Sequence, residues 1–188
     1  MNEYQYSTYG NNISEVYDEF YAEFDPASIE LLAKLAGDGP ALELGIGTGR
    51  VAIPLHEKGI KLHGIDASEA MLSKLKAKGG GAEIKTLTGS FARFNIEQSF
   101  RLIYVIFNTF FALLTQEEQV QCFQTVSDHL SEDGAFLIEA FVPDLKRFED
   151  FQTVRAVSVT EDLVRLEVTQ HDPLFQHIIS QHVVIDPE

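Results

Sequence analysis

The chain has 188 residues, 45% of them hydrophobic, with a single cysteine and a formal net charge of −15. That is enough for one domain with a real core, and the lone Cys122, among Val120, Phe123, Val126 and Leu130, reads as a core thiol rather than half of a disulfide. So acidic a surface repels phosphate backbones and anionic lipid, and with no apolar run of bilayer length and no signal pattern, nucleic acid and membrane are excluded as partners and the cytoplasm is the expected location.

The acidity is uneven. Residues 1–36 hold seven acids against the single base Lys34, whereas residues 37–90 hold six acids and seven bases. Residues 1–12, polar apart from Tyr4, Tyr6 and Tyr9, are expected to be loosely held. Over residues 13–24 the spacing of Ile13, Val16, Tyr17, Phe20, Tyr21 and Phe24 predicts a helix with one apolar face and with Glu15, Asp18, Glu19 and Glu23 largely opposite. Such a helix either docks on the core or acts as a lid. Asp25-Pro26 supplies a cap and a first-turn proline for the next helix, through Ala36.

The stretch Ala41-Leu42-Glu43-Leu44-Gly45-Ile46-Gly47-Thr48-Gly49-Arg50 then organises the chain. A short apolar run passes into three alternating glycines, and Val51-Ala52-Ile53-Pro54-Leu55 resumes in helical texture, so the sequence predicts strand, ligand-binding turn and helix. A dinucleotide fingerprint needs G-x-G-x-x-G, but the third glycine position is filled by Arg50 or Ala52. Glu43 beside the loop repels a pyrophosphate and suits a ligand with a sulfonium and an ammonium. This stretch resembles the first motif of the class I S-adenosylmethionine-dependent methyltransferases, which implies that Glu43, Gly45, Gly47 and Gly49 hold the methionine half of that cofactor. The resemblance covers residues 13–150 well. Tyr17-Asp18-Glu19-Phe20-Tyr21 looks like the lid pattern of such enzymes.

Residues 61–66 read as the second strand with Asp66 at its carboxyl end, placed to accept both ribose hydroxyls of an adenosine. Ala67 follows, Ser68 caps the next helix, and Met71 either joins the core or borders the adenine. After Gly79-Gly80-Gly81 a third strand is expected over residues 82–87. The resemblance places the adenine contact at Ser90-Phe91, where the family commonly has an aspartate after the glycine and this chain has Ser90.

Residues 100–107 form a nearly continuous apolar run, as in a strand buried on both faces of a parallel sheet. Asn108 follows its end, where the resemblance implies a border of the methionine moiety and acceptor. Asn108 capping a turn, with Phe110 and Phe111 in the core, is the structural alternative. Thr115-Gln116-Glu117-Glu118 predicts a capped helix to Leu130, Asp133-Gly134 a turn, and residues 135–142 a fifth strand. Beyond Pro143 a period-two texture, interrupted at Glu161-Asp162 and at His171-Asp172-Pro173-Leu174, predicts a three-strand antiparallel meander. Its histidines, His171, His177 and His182, lack metal-site spacing, so no metal is expected.

The expected fold is α/β: a Rossmann-like, mostly parallel sheet with helices on both faces. It forms a single domain with a helical lid (1–36), a cofactor-binding core (37–150) and the meander (151–188). The expected function is methyl transfer from S-adenosyl-L-methionine to a small-molecule N or O acceptor. A non-catalytic module binding S-adenosylmethionine or S-adenosylhomocysteine is the alternative, and an NAD-dependent oxidoreductase a third. Candidate catalytic residues are Tyr17, Asn108, Glu139 and His171. Family members usually finish the sheet with a further helix and strand pair, expected to be absent here, so the fifth strand's outer edge calls for the meander or for a homodimer.

Overall fold

Ala41–Leu44 (β1) is buried at all four positions, as a strand covered on both faces requires. The computed structural model describes residues 6–21 and 24–186, so the expectations for Tyr4 and Glu23 lie outside the described residues. The chain forms two compact units, Met1–Ala140 and Phe141–Glu188.

In the first unit, β1 is flanked by Leu62–Asp66 (β2) and Phe100–Val105 (β4), with Lys85–Thr88 (β3) and Leu130–Ile138 (β5) outside them. All neighbours are parallel, in the order β3-β2-β1-β4-β5. Parallel neighbours need crossover connections, supplied by Ala52–Glu57 (α4), Glu69–Ala77 (α5) and Gln116–His129 (α6). Strand order reverses between β1 and β4, the switch point at which open α/β sheets bind ligands.

Alternation along the strands divides the core between the two faces. Ala41, Leu102 and Tyr104 join Ile46, Val51, Leu55, Leu72 and Leu75, packed with Pro26–Ala36 (α3). Leu42, Leu44, Ile103 and Val105 join the aromatics Phe91, Phe94, Phe100 and Phe110, together with Cys122. Burial pushes the Cys122 thiol up to about 12, consistent with an inert core residue.

Helix ends follow their expected chemistry. Asp25 accepts from the Ala27 amide at 3.0 Å, Ser68 Oγ from Met71 at 3.2 Å, and Thr115 with Glu118 closes a capping box.

Four boundaries differ from expectation. In place of one helix over residues 13–24 there are two short ones, Thr8–Ile13 (α1) and Tyr17–Phe20 (α2). Within the expected loosely held stretch, the described part from residue 6 is corrected, because Gly10 of α1 is buried against Ser68 and Met71, where a Cβ would lie 2.6 Å from the serine's. The third strand starts late because Gly81–Glu83 forms a 3₁₀ turn. β4 stops at Val105, two residues before the backbone turns left-handed at Phe107, and β5 begins at Leu130, with the expected Asp133-Gly134 turn absorbed into an irregularity in its pairing.

In the second unit, Gln152–Val159 (β6), Val164–Asp172 (β7) and His177–Ile185 (β8) form the expected antiparallel meander. His171 lies inside β7 rather than in the turn.

Candidate functional site

The glycine turn leaves the carboxyl end of β1 with Gly45, Gly47 and Gly49 all in the left-handed region, at φ of 75°, 56° and 81°. At Gly47 a Cβ would meet nothing within 4 Å, so the main chain there borders open space. The Gly47 amide donates to Asp66 Oδ2 at 2.8 Å, and the Ser68 amide to Oδ1 at 2.8 Å. The carboxylate at the end of β2 thus ties the glycine turn to the start of α5. Burial raises the Asp66 pKa, opposed by the amides of Ser68, Gly47 and Ala67.

Glu43 is buried beside the turn and accepts a hydrogen bond from the Tyr104 hydroxyl at 2.9 Å. Burial pushes its carboxyl up to about 8, against the Tyr104 hydrogen bond and the charge of Arg50 and with the repulsion of Asp66. Two acids therefore converge on one open-walled turn, which disfavours a pyrophosphate and suits a cationic or amino-bearing ligand.

The N-terminal segment lies over this turn. Asp18 accepts from Thr48 Oγ1 at 2.6 Å and pairs with Lys78 at 2.8 Å, while Lys78 also donates to the Thr48 carbonyl at 2.9 Å. These partners hold the Asp18 carboxyl below its usual range although desolvation opposes them. On α1, Asn11 Oδ1 accepts from Ser68 Oγ at 2.7 Å. Arg50 lies over the rings of Phe107, Phe24 and Tyr21, at 4.4, 5.5 and 5.9 Å from the centroids, and Tyr21 packs on Tyr17 at 5.0 Å. Under this cover a cavity of only about 20 Å³ remains, lined by Tyr17, Glu43, Gly45, Arg50 and Thr109 among others. That is room for about one water molecule.

At the end of β4, Phe107 and Asn108 are both left-handed, at φ of 58° and 65°, a strain of about 1–3 kcal/mol each for residues with a Cβ. Glu139 braces the turn: its carboxylate accepts from the Phe107 amide at 3.3 Å and its carbonyl from Asn108 at 3.2 Å. The Asn108 side chain makes no capping bond to the short Thr109–Ala112 turn, so capping does not account for it.

Among the other expected site residues, Met71 is buried beside Gly10, and the carbonyl of Asp66 accepts from the amide of Gly89, just before Ser90, at 2.9 Å. Ser90 Oγ accepts from Ala92 at 3.2 Å, while Phe91 is buried in the aromatic cluster. Burial raises the Tyr17 pKa, so its phenol is a donor rather than a base at neutral pH. His171 belongs to the second unit, its ring 5.3 Å from that of Phe148. Sequence reasoning overlooked Tyr104, Arg50, Phe107, Thr48 and Lys78. Tyr104 sat unremarked in an apolar run, and Lys78 in a lysine-rich helix end.

Residues 41–134 match the family model described as a methyltransferase domain. The structure of the CcbJ methyltransferase from Streptomyces caelestis is 36% identical, with a TM-score of 0.89 over 97% of this chain and 77% of that one. A cypemycin N-terminal methyltransferase of Streptomyces sp. is 28% identical over 142 residues, 73% of this chain and 58% of the relative, so the chain spans little more than half of that protein. The glycopeptide N-methyltransferase MtfA, complexed with S-adenosyl-L-methionine, shares the fold at 17% identity and a TM-score of 0.59, over 85% of this chain and 70% of that one.

Proposed function

The chain belongs to the class I S-adenosylmethionine-dependent methyltransferases, and from that premise we propose that it methylates a nucleophilic nitrogen or oxygen of a small molecule. The observation that carries this reading is the convergence of Glu43 and Asp66 on an open glycine turn at the switch point of the sheet. When bound, S-adenosylmethionine supplies an electrophilic methyl on a sulfonium. Glu43 and the main chain of residues 45–49 hold its amino-acid half, Asp66 with Ala67 its ribose, and Met71, Ser90 and Phe91 border its adenine. Tyr17, Tyr21 and Asn108 wall the acceptor, with Tyr17, Asp18 and Arg50 closing the site against water. Direct displacement needs alignment and exclusion of water more than a protein nucleophile. A neutral amine needs little general base, which favours an amino-bearing acceptor. The N-methyltransferase names of two relatives agree with that lean.

Calorimetry with S-adenosylhomocysteine and NAD tests the cofactor, and transfer of labelled methyl to a panel of amines and hydroxy compounds separates an enzyme from a non-catalytic binding module. Gly47→Val should abolish binding and leave the fold, because the open space beside Gly47 is the ligand's. Loss of the circular-dichroism signal together with binding would mark a structural glycine instead.

We also propose a homodimer working in the cytoplasm. β5 is an edge strand of the five-stranded sheet, and an uncovered edge favours association. A concentration-independent monomer mass in sedimentation would sink the dimer.

A further inference from the structure

We propose that Tyr104 is a positioning residue, which aims the Glu43 carboxyl at the amino group of the ligand's methionine half. This rests on the methyltransferase reading above.

Glu43 and Tyr104 are register partners on β1 and β4, the two strands between which the sheet order reverses. Both side chains therefore leave the same face at the same height, directly at the switch point. Tyr104 is fully buried and belongs to the apolar cluster that includes Leu102, Ile106, Ile46 and Val51. In such surroundings a phenol needs a partner, and its O–H donates to Glu43 Oε2 at 2.9 Å.

The donor fixes one carboxyl oxygen. Glu43 itself lines the cavity beneath the N-terminal segment. The geometry is that of a carboxyl clamped by a phenol at the wall of that cavity. Without the clamp the group would turn freely in an apolar pocket or hold its proton there, since a buried carboxylate with no donor is costly.

The charged and titratable groups facing Glu43 are Arg50 from the glycine turn, Asp66 from β2, Tyr17 from α2 and Tyr104 itself. Arg50 and the phenol favour the carboxylate; Asp66 opposes it. An ammonium arriving at the carboxyl adds the charge that completes ionisation, so binding should release a proton around neutral pH.

The test is calorimetry with two probes, S-adenosylhomocysteine and 5′-methylthioadenosine, the second keeping the nucleoside and thioether but lacking the amino acid. Tyr104→Phe keeps the ring and removes the donor. We expect it to weaken S-adenosylhomocysteine about tenfold at pH 7 and to leave 5′-methylthioadenosine within about twofold. The proton released on binding, read from buffers of different ionisation enthalpy, should also change. In a Glu43→Gln background the same substitution should have no further effect on the ratio of the two affinities, because the charge it serves is gone. Thermal melting of each variant without ligand checks that the fold persists.

Equal weakening of both probes would make Tyr104 a merely structural residue and overturn the proposal. So would an unchanged affinity for S-adenosylhomocysteine. Wild-type protein that binds neither probe would overturn the methyltransferase reading itself, and this inference with it.

Discussion

The units on either side of Ala140 are built from strands with similar apolar content, yet they bury it very differently. In the first, β1 and most of β4 are inaccessible on both faces because α3, α4 and α5 lie on one side and α6 and the Phe-rich segment after β3 on the other. In the second, the only fully buried residue among those described is Thr169, whose hydroxyl lies 3.2 Å from that of Ser180. Cross-strand register there places Val154 beside Val168, and Ala156 beside Leu166 and Val183, on one face. That face is open: Val154 is 64% exposed and Val159 68%. The opposite face carries the Arg155–Glu167 ion pair at 3.0 Å beside Thr169. A three-stranded sheet with no second layer in its own unit has nothing to bury against, whatever its pattern. Apolar alternation predicts strands; only layering predicts a core.

The sharpest test of this contrast is truncation on each side. Leu42→Ala should cost about 2–5 kcal/mol in urea unfolding, through lost burial and a cavity between sheet and α6. Val154→Ala should stay within about 0.5 kcal/mol. Equal losses would mean that the meander face is covered in the folded protein.

Next in size is the cost of burying an acid in the first unit. The folded Glu43 pKa of about 8 lies above the ordinary 4.5. The unfolded chain therefore binds fewer protons than the native one between those values. The stability linked to Glu43 is complete below pH 4.5 and is lost as pH rises through 8, at about 1.4 kcal/mol per unit. Glu43→Gln should then be more stable than the natural chain at pH 8.5, by a few kcal/mol at most, while binding S-adenosylhomocysteine more weakly. A stability difference that does not vary with pH would show that Glu43 is already ionised in the fold.

Binding should divide the units in the same way. Asp66→Ala should weaken S-adenosylhomocysteine by about 1–3 kcal/mol, because a partly desolvated charged acceptor is lost. His171→Ala should leave the dissociation constant where it was. An unaffected Asp66→Ala would move the ribose contact elsewhere.

The smallest effect expected is at the meander's own ion pair. Arg155 is 64% exposed, so Arg155→Ala should change stability by less than about 1 kcal/mol, and less still in 0.5 M salt. A larger loss would show that this face is desolvated.

Much of this molecule was legible in local patterns. The strand, glycine turn and helix at residues 41–57, the acid ending β2, the Ser68 and Thr115 caps and the antiparallel texture after Pro143 depend on neighbours a few residues apart, so the sequence alone determined them. The N-terminal helix was misjudged because its geometry answers to distant partners: Asp18 reaches Thr48, 30 residues on, and Gly10 is pressed against Ser68. The same holds for the left-handed turn at Phe107 and Asn108, braced by Glu139, and for Tyr104. Nothing in an apolar run marks one tyrosine as the partner of a glutamate 61 residues earlier; parallel register at the switch point decides it. Only the tertiary structure sets that pairing, because hydrogen bonds between strands join residues that chain spacing keeps apart.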